Sequence, residues 1–108
     1  FPDDQALGFR LAEGLVAVSG CAHAGIVNTI RRLQEVSGCE RLWAVVGGFH
    51  LAGAAPEALE ATLEELGRLG PEVICPLHCT GPEATRRLRE AFPRAFRLGA
   101  VGTTLLLP

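Results

Sequence analysis

Three histidines occur in the chain, and each stands where an apolar run gives way to small residues. The junctions read Gly20-Cys21-Ala22-His23-Ala24-Gly25, Gly47-Gly48-Phe49-His50-Leu51 and Pro76-Leu77-His78-Cys79-Thr80-Gly81. Neutral imidazole is the commonest metal ligand near pH 7. Zinc, manganese and iron all accept it, and such an ion activates water and polarises a phosphoryl or carbonyl oxygen. A single histidine near a strand end more often reads as a hydrogen-bonded structural residue. Three at equivalent junctions, flanked by residues small enough for close approach, favour a shared functional site. Carboxylates are scarce around it. Asp3 and Asp4, ahead of the first strand, are the pair within reach. Glu57 and Glu83 fall in first helical turns, where a capping role is expected. A two-metal site needs more ligands than this.

Other polar residues at the junctions carry two readings each. Cys21 precedes His23 by two residues and Cys79 follows His78, so either thiol could be a nucleophile, a ligand or a substrate contact. The blander reading, shared with Cys75, is a small buried apolar residue. No CxxC pair exists, which argues against a structural zinc knuckle and a redox motif. Asn28 points either to the cleft or to solvent. Thr80 is expected first as a helix cap, in a Thr80–Glu83 capping box, and second as a ligand contact. Trp43 reads as core.

These junctions need elements to position them. Leu7, Phe9 and Leu11 alternate with Ala6, Gly8 and Arg10, predicting a strand over residues 5–11 with one dry face. A short turn leads into Leu15–Ser19, an apolar run fit for a strand buried on both faces. Ile26, Val27, Ile30, Leu33 and Val36 form one helical stripe, which Gly38 ends. Leu42–Val46 is a further central strand. Pro56 opens a helix with the stripe Leu59, Leu63, Leu66 and Leu69, stopped by Gly70-Pro71. Val73–Leu77 is the next strand, followed by a helix to about Ala91. Two short closing strands are expected at residues 96–98 and 103–107. The order β-β-α-β-α-β-α-β-β implies an α/β domain with a mixed sheet and helices packed on it. In open sheets of this kind ligands bind beyond the carboxyl ends of the strands, where all three histidines would gather.

Composition narrows the field. Apolar residues make up 48% of the 108, with 13 glycines besides, and net charge is −2. That balance gives no reason to expect nucleic acid or an anionic membrane as partner. No apolar run approaches the ~18 residues of a membrane span. The apolar excess instead points to surface covered by something outside this chain. All ten basic residues are arginine, and methionine is absent, so Phe1 is expected to follow a cut or to begin a fragment. Reduced thiols in the cytoplasm are expected.

The stretches "DDQALGFRLAEGLVAVSGCAHAGIVNT", "AVVGGFHLAG" and "VICPLHCTGPEATRRL" together resemble the metallo-β-lactamase-fold superfamily. The likeness is greatest to its branch of dihydropterin aminobenzene-phosphate synthase-like metallohydrolases. The resemblance implies half of an αββα sandwich, with helices on one face of the sheet. It covers residues 1–108 as one partial domain that lacks the family's amino-terminal HxHxDH motif. It further implies a divalent metal, zinc before manganese or iron, with His78 and His23 as ligands and His50 acting on substrate; Asn28, Thr80 and Cys21 are expected as substrate contacts from their places at the junctions. The function implied is the carboxyl-terminal portion of a metal-dependent hydrolase or synthase acting on a phosphorylated or pterin-like small molecule through metal-activated water. The missing motif leaves catalysis by this polypeptide alone unexpected. The alternative is a non-catalytic module that forms homo-oligomers or pairs with an amino-terminal partner chain.

Overall fold

A computed structural model describes residues 4–108, so Asp3 lies outside the described residues. The elements are β1 (Ala6–Leu11), β2 (Gly14–Ser19), α1 (Ile26–Ser37), β3 (Leu42–Gly48), α2 (Pro56–Leu69), β4 (Val73–Leu77), a 3-10 turn (His78–Thr80) and α3 (Pro82–Ala91). This is an α/β fold with one mixed four-stranded sheet in the order β1-β2-β3-β4. β1 is antiparallel to β2, whereas β2, β3 and β4 run parallel. The parallel strands are joined through α1 and α2, so the carboxyl ends of β2, β3 and β4 open on one rim. Antiparallel β1 brings its amino end to the same rim, where the Gly20 amide donates to the Gln5 carbonyl at 3.3 Å.

The helices share one face of the sheet. Leu15, Ala17, Leu42, Val45 and Ile74 from the strands pack there with Ile26, Ile30, Leu59, Leu63, Leu66, Ala84 and Leu88 from the helices. Fully burying one such side chain contributes roughly 1.5–3 kcal/mol, so this layer dominates stability. The stripe on α1 ends earlier than its spacing suggests: Val36 is exposed.

The opposite face differs from expectation at three points. The dry side of β1 is bare, with Leu7 62% and Phe9 48% exposed, because all helices lie on the other side. Trp43 is not core. Leu15 pairs with Leu42 but Val16 with Ala44, so Trp43 is the extra residue of a bulge and sits half-buried beside Leu11 and Val18. The two closing strands reduce to a single parallel bridge, Ile74 to Phe96, and residues 103–107 form no strand. That tail instead borders a groove of ≈ 750 Å³ whose walls include Trp43, Ala44, Val46 and Val73. β4 is thereby an edge strand, which tolerates Pro76 and its missing N–H.

No helix among the described residues is long and apolar enough to cross a membrane.

Candidate metal centre

The rim begins with backbone that only special residues tolerate. Gly48, at the end of β3, faces both neighbouring strand ends. A Cβ there would run into the Gly20 carbonyl, lie 2.9 Å from Cys79 Sγ and come within 3.1 Å of Cys21 Cα. Glycine at this position therefore lets the first and third junctions close over the second. Among the described residues, the non-glycine residues with left-handed backbone are Ala22, His50 and His78, at φ 62°, 53° and 53°. Each such residue carries roughly 1–2 kcal/mol of strain, and all three lie in the histidine junctions. The surrounding hydrogen bonds hold them there.

The geometry gathers five donors. The rings of His23 and His50 meet edge to face with centroids 4.8 Å apart. Cys21 Sγ lies 3.5 Å from His50 Nδ1 and 2.8 Å from Cys79 Sγ. Cys79 Sγ also accepts from the His50 amide at 3.2 Å and donates to the Cys21 carbonyl at 3.2 Å. Two triads have all their ligand atoms within 4.8 Å of one another: Cys21–His78–Cys79 and Cys21–His23–His50. Cys21 belongs to both. The three histidines thus share a rim without forming one group, and His23 and His78 fall in different triads.

Asp4 reaches the site. Its Oδ1 stands 3.7 Å from His23 Nδ1, and its Oδ2 accepts from the Ala24 amide at 3.3 Å. A carboxylate behind an imidazole helps to fix the ring's orientation. The Cys21 thiol is pushed up to about 11, first by its hydrogen bond with Cys79, then by burial and the charges of Cys79 and Asp4. Cys75 behaves as expected of a core thiol: it is 1% exposed, and burial raises its pKa against the lowering effect of Arg97.

Thr80 and Asn28 hold structure. Thr80 is 1% exposed; its hydroxyl donates to the Leu77 carbonyl at 2.8 Å and accepts from the Phe49 amide at 3.1 Å. It staples the ends of β3 and β4 together. The expected capping box does not form, since the residue before α3 is Gly81 and no side chain caps that helix. Glu83 pairs with Arg86 at 2.7 Å. Asn28 is exposed and donates to the Ala24 carbonyl at 2.8 Å, beside Asp4 in a groove of ≈ 290 Å³.

Cys79 carries both a ligand and an apolar reading in the sequence, and the structure brings its sulfur to the rim beside Cys21. Both thiols are free and half-buried, not enclosed in the core. The donor set suits a borderline-soft divalent ion, since thiolate and imidazole together favour zinc over magnesium or manganese. Two thiolates bound tetrahedrally at ~2.3 Å stand about 3.7 Å apart, so the 2.8 Å sulfur pair would open by roughly 1 Å.

No family model matches the chain. Over 94 residues, 87% of its length, it is 39% identical to the 7,8-dihydropterin-6-methyl-4-(β-D-ribofuranosyl)-aminobenzene-5'-phosphate synthase of Methanocaldococcus jannaschii, covering 32% of that protein. It is 33% identical over 85 residues to an uncharacterised protein of the same organism, covering 76% of this chain and 30% of the relative. The crystal structure of a metal-dependent hydrolase of the β-lactamase superfamily superposes with a TM-score of 0.87 at 34% identity, over 95% of this chain and 40% of that one. The chain spans about a third of the length of the curated relatives it matches. By sequence the chain is a homologue of that dihydropterin aminobenzene-phosphate synthase, and by fold a structural neighbour of a metal-dependent hydrolase of the β-lactamase superfamily, matching one portion of each.

Proposed function

We propose that this chain is the carboxyl-terminal portion of a metal-dependent hydrolase or synthase that acts on a phosphorylated or pterin-like small molecule. The observation that carries the reading is the convergence of Cys21, His23, His50, His78 and Cys79 at one rim. A divalent ion, zinc by the softness of the donors, supplies activation of water and polarisation of a substrate oxygen when bound. His23 and His78 hold it, and Asp4 orients His23 from behind. His50 is exposed at the mouth of the site, where its imidazole positions substrate and moves a proton. A reducing compartment such as the cytoplasm suits the free thiols.

The same reading gives the bare sheet face an occupant. Relatives of roughly three times this length have chain enough for a second sheet, and the exposed Leu7 and Phe9 are the apolar surface on which it would pack. Those two residues equally favour a second reading, a non-catalytic module that buries this face against a copy of itself.

Metal analysis of the protein purified under reducing conditions tests both. The first reading expects bound divalent metal, a metal affinity about tenfold or more lower in His78→Ala, the scale of losses on perturbing a ligand set, and phosphoesterase activity in the metal-loaded assembly. Metal content unchanged by His78→Ala overturns the ligand assignment. A metal-free dimer favours the second reading.

A further inference from the structure

We propose that Cys21 and Cys79 are themselves metal ligands, so that two thiolates, His78 and one imidazole of the His23–His50 pair form a sulfur-containing site for zinc or a similarly soft divalent ion within this chain. The inference rests on the reading of the rim as a metal centre and deepens it by naming sulfur as half of the donor set.

Position argues first. Cys21 and Cys79 come from different strand ends, 58 residues apart, yet their sulfurs stand 2.8 Å from one another, inside the ordinary contact of two sulfur atoms. Neither is a core residue. Cys75, on the strand that leads to Cys79, supplies the contrast: its thiol is enclosed among apolar neighbours at 1% exposure, whereas the pair at the rim is half-buried and open to a ligand. Packing therefore explains Cys75 and leaves the rim pair without an apolar rationale.

Local structure argues second. The His50 amide donates to Cys79 Sγ from 3.2 Å, which fixes that sulfur at the rim. Gly48 leaves room for Cys79 Sγ beside the Cys21 backbone. The strained residues flank them directly: Ala22 follows Cys21, His78 precedes Cys79, and His50 touches both sulfurs. Strain retained at such positions belongs with a functional constraint. Chemistry argues third. Cys21 is the one vertex common to both triads, so a cation drawing on both triads meets sulfur before any second histidine. Ligation releases the thiol protons, as metal binding to cysteine requires.

The reduced chain is titrated with cobalt(II) as a spectroscopic stand-in for zinc. The expected result is an intense near-ultraviolet sulfur-to-cobalt charge-transfer band that saturates at one equivalent and is abolished by excess zinc. Cys21→Ser and Cys79→Ser each retain roughly half its amplitude, the double variant loses it, and Cys39→Ser keeps it whole. Circular dichroism establishes that the variants fold, and the unsubstituted chain's spectrum decides the matter even if one does not. Cobalt bound with only the weak bands of nitrogen and oxygen ligands overturns thiolate ligation while leaving the metal centre standing. Failure of the reduced chain to take up cobalt overturns a site complete within this chain, and the wider reading is then judged by the His78→Ala metal analysis.

Discussion

The two faces of the sheet are made of the same kinds of residue and finished to different degrees. On the helix side Leu15, Leu42, Val45 and Ile74 are each at 0% exposure, closed over by α1, α2 and α3. On the other side Val16 and Ala44 are buried with Leu11, Val18 and the bulged Trp43 packed against them, but toward β1 the cover runs out and Leu7 and Phe9 are exposed. Apolar alternation on β1 cannot tell a face covered by this chain from one covered by something else. The first face therefore carries most of the chain's stability, and the second leaves apolar surface exposed along β1. The histidine-bearing rim lies at the strand ends, so its side chains are positioned by strands that the helix side fixes.

The widest gap between the faces should appear on truncating the finished one. Leu66 is at 0% exposure in the centre of α2's buried stripe. Leu66→Ala removes its contacts and leaves a cavity, at about 2–5 kcal/mol. Urea unfolding should register that loss. A change below about 1 kcal/mol would mean that the helix layer is not the close-packed core described.

At the boundary between the faces a smaller effect is expected. The Thr80 hydroxyl accepts from the Phe49 amide and donates to the Leu77 carbonyl. Thr80→Val keeps the shape and leaves the Phe49 N–H buried without that acceptor, at about 1–3 kcal/mol. Loss of the staple also loosens the backbone that carries His50. Amide exchange at Phe49 should accelerate with the drop in midpoint; unaltered exchange there would show that the hydroxyl holds nothing.

Much of this was legible in the sequence, for reasons specific to each part. Helical stripes such as Leu59–Leu63–Leu66 and uniformly apolar strands such as Leu42–Val46 announce themselves, because one period serves one face. The rim was legible too, since parallel strands joined by helices bring histidines after successive strands to a common edge. What escaped were features set by pairs distant in sequence. The bulge at Trp43 depends on register against β2. Thr80 has the composition of a cap, yet tertiary backbone partners at Leu77 and Phe49 won its hydroxyl. Cys21 and Cys79 carry ligand and apolar readings alike in the sequence, because their meeting depends on Gly48 letting distant strand ends close. The segment from Phe96 onward has strand-like apolar residues but bridges β4 only at Phe96 itself.

The smallest effect on stability is expected on the unfinished face, and it is the one that separates the faces most cleanly. Phe9 is 48% exposed and lies opposite Val16 in the β1–β2 ladder. Phe9→Ser forfeits that cross-strand contact, worth about 0.2–1 kcal/mol, and little else within the chain. If the face seats a neighbour, the same change should reduce self-association, or binding to a supplied second-sheet segment, far more than it lowers the unfolding midpoint. Sedimentation velocity beside urea unfolding reads the two quantities separately. A midpoint that falls as far as in Leu66→Ala would show that β1's outer face is already part of this chain's own core, and the contrast between the two sides of the sheet would be lost.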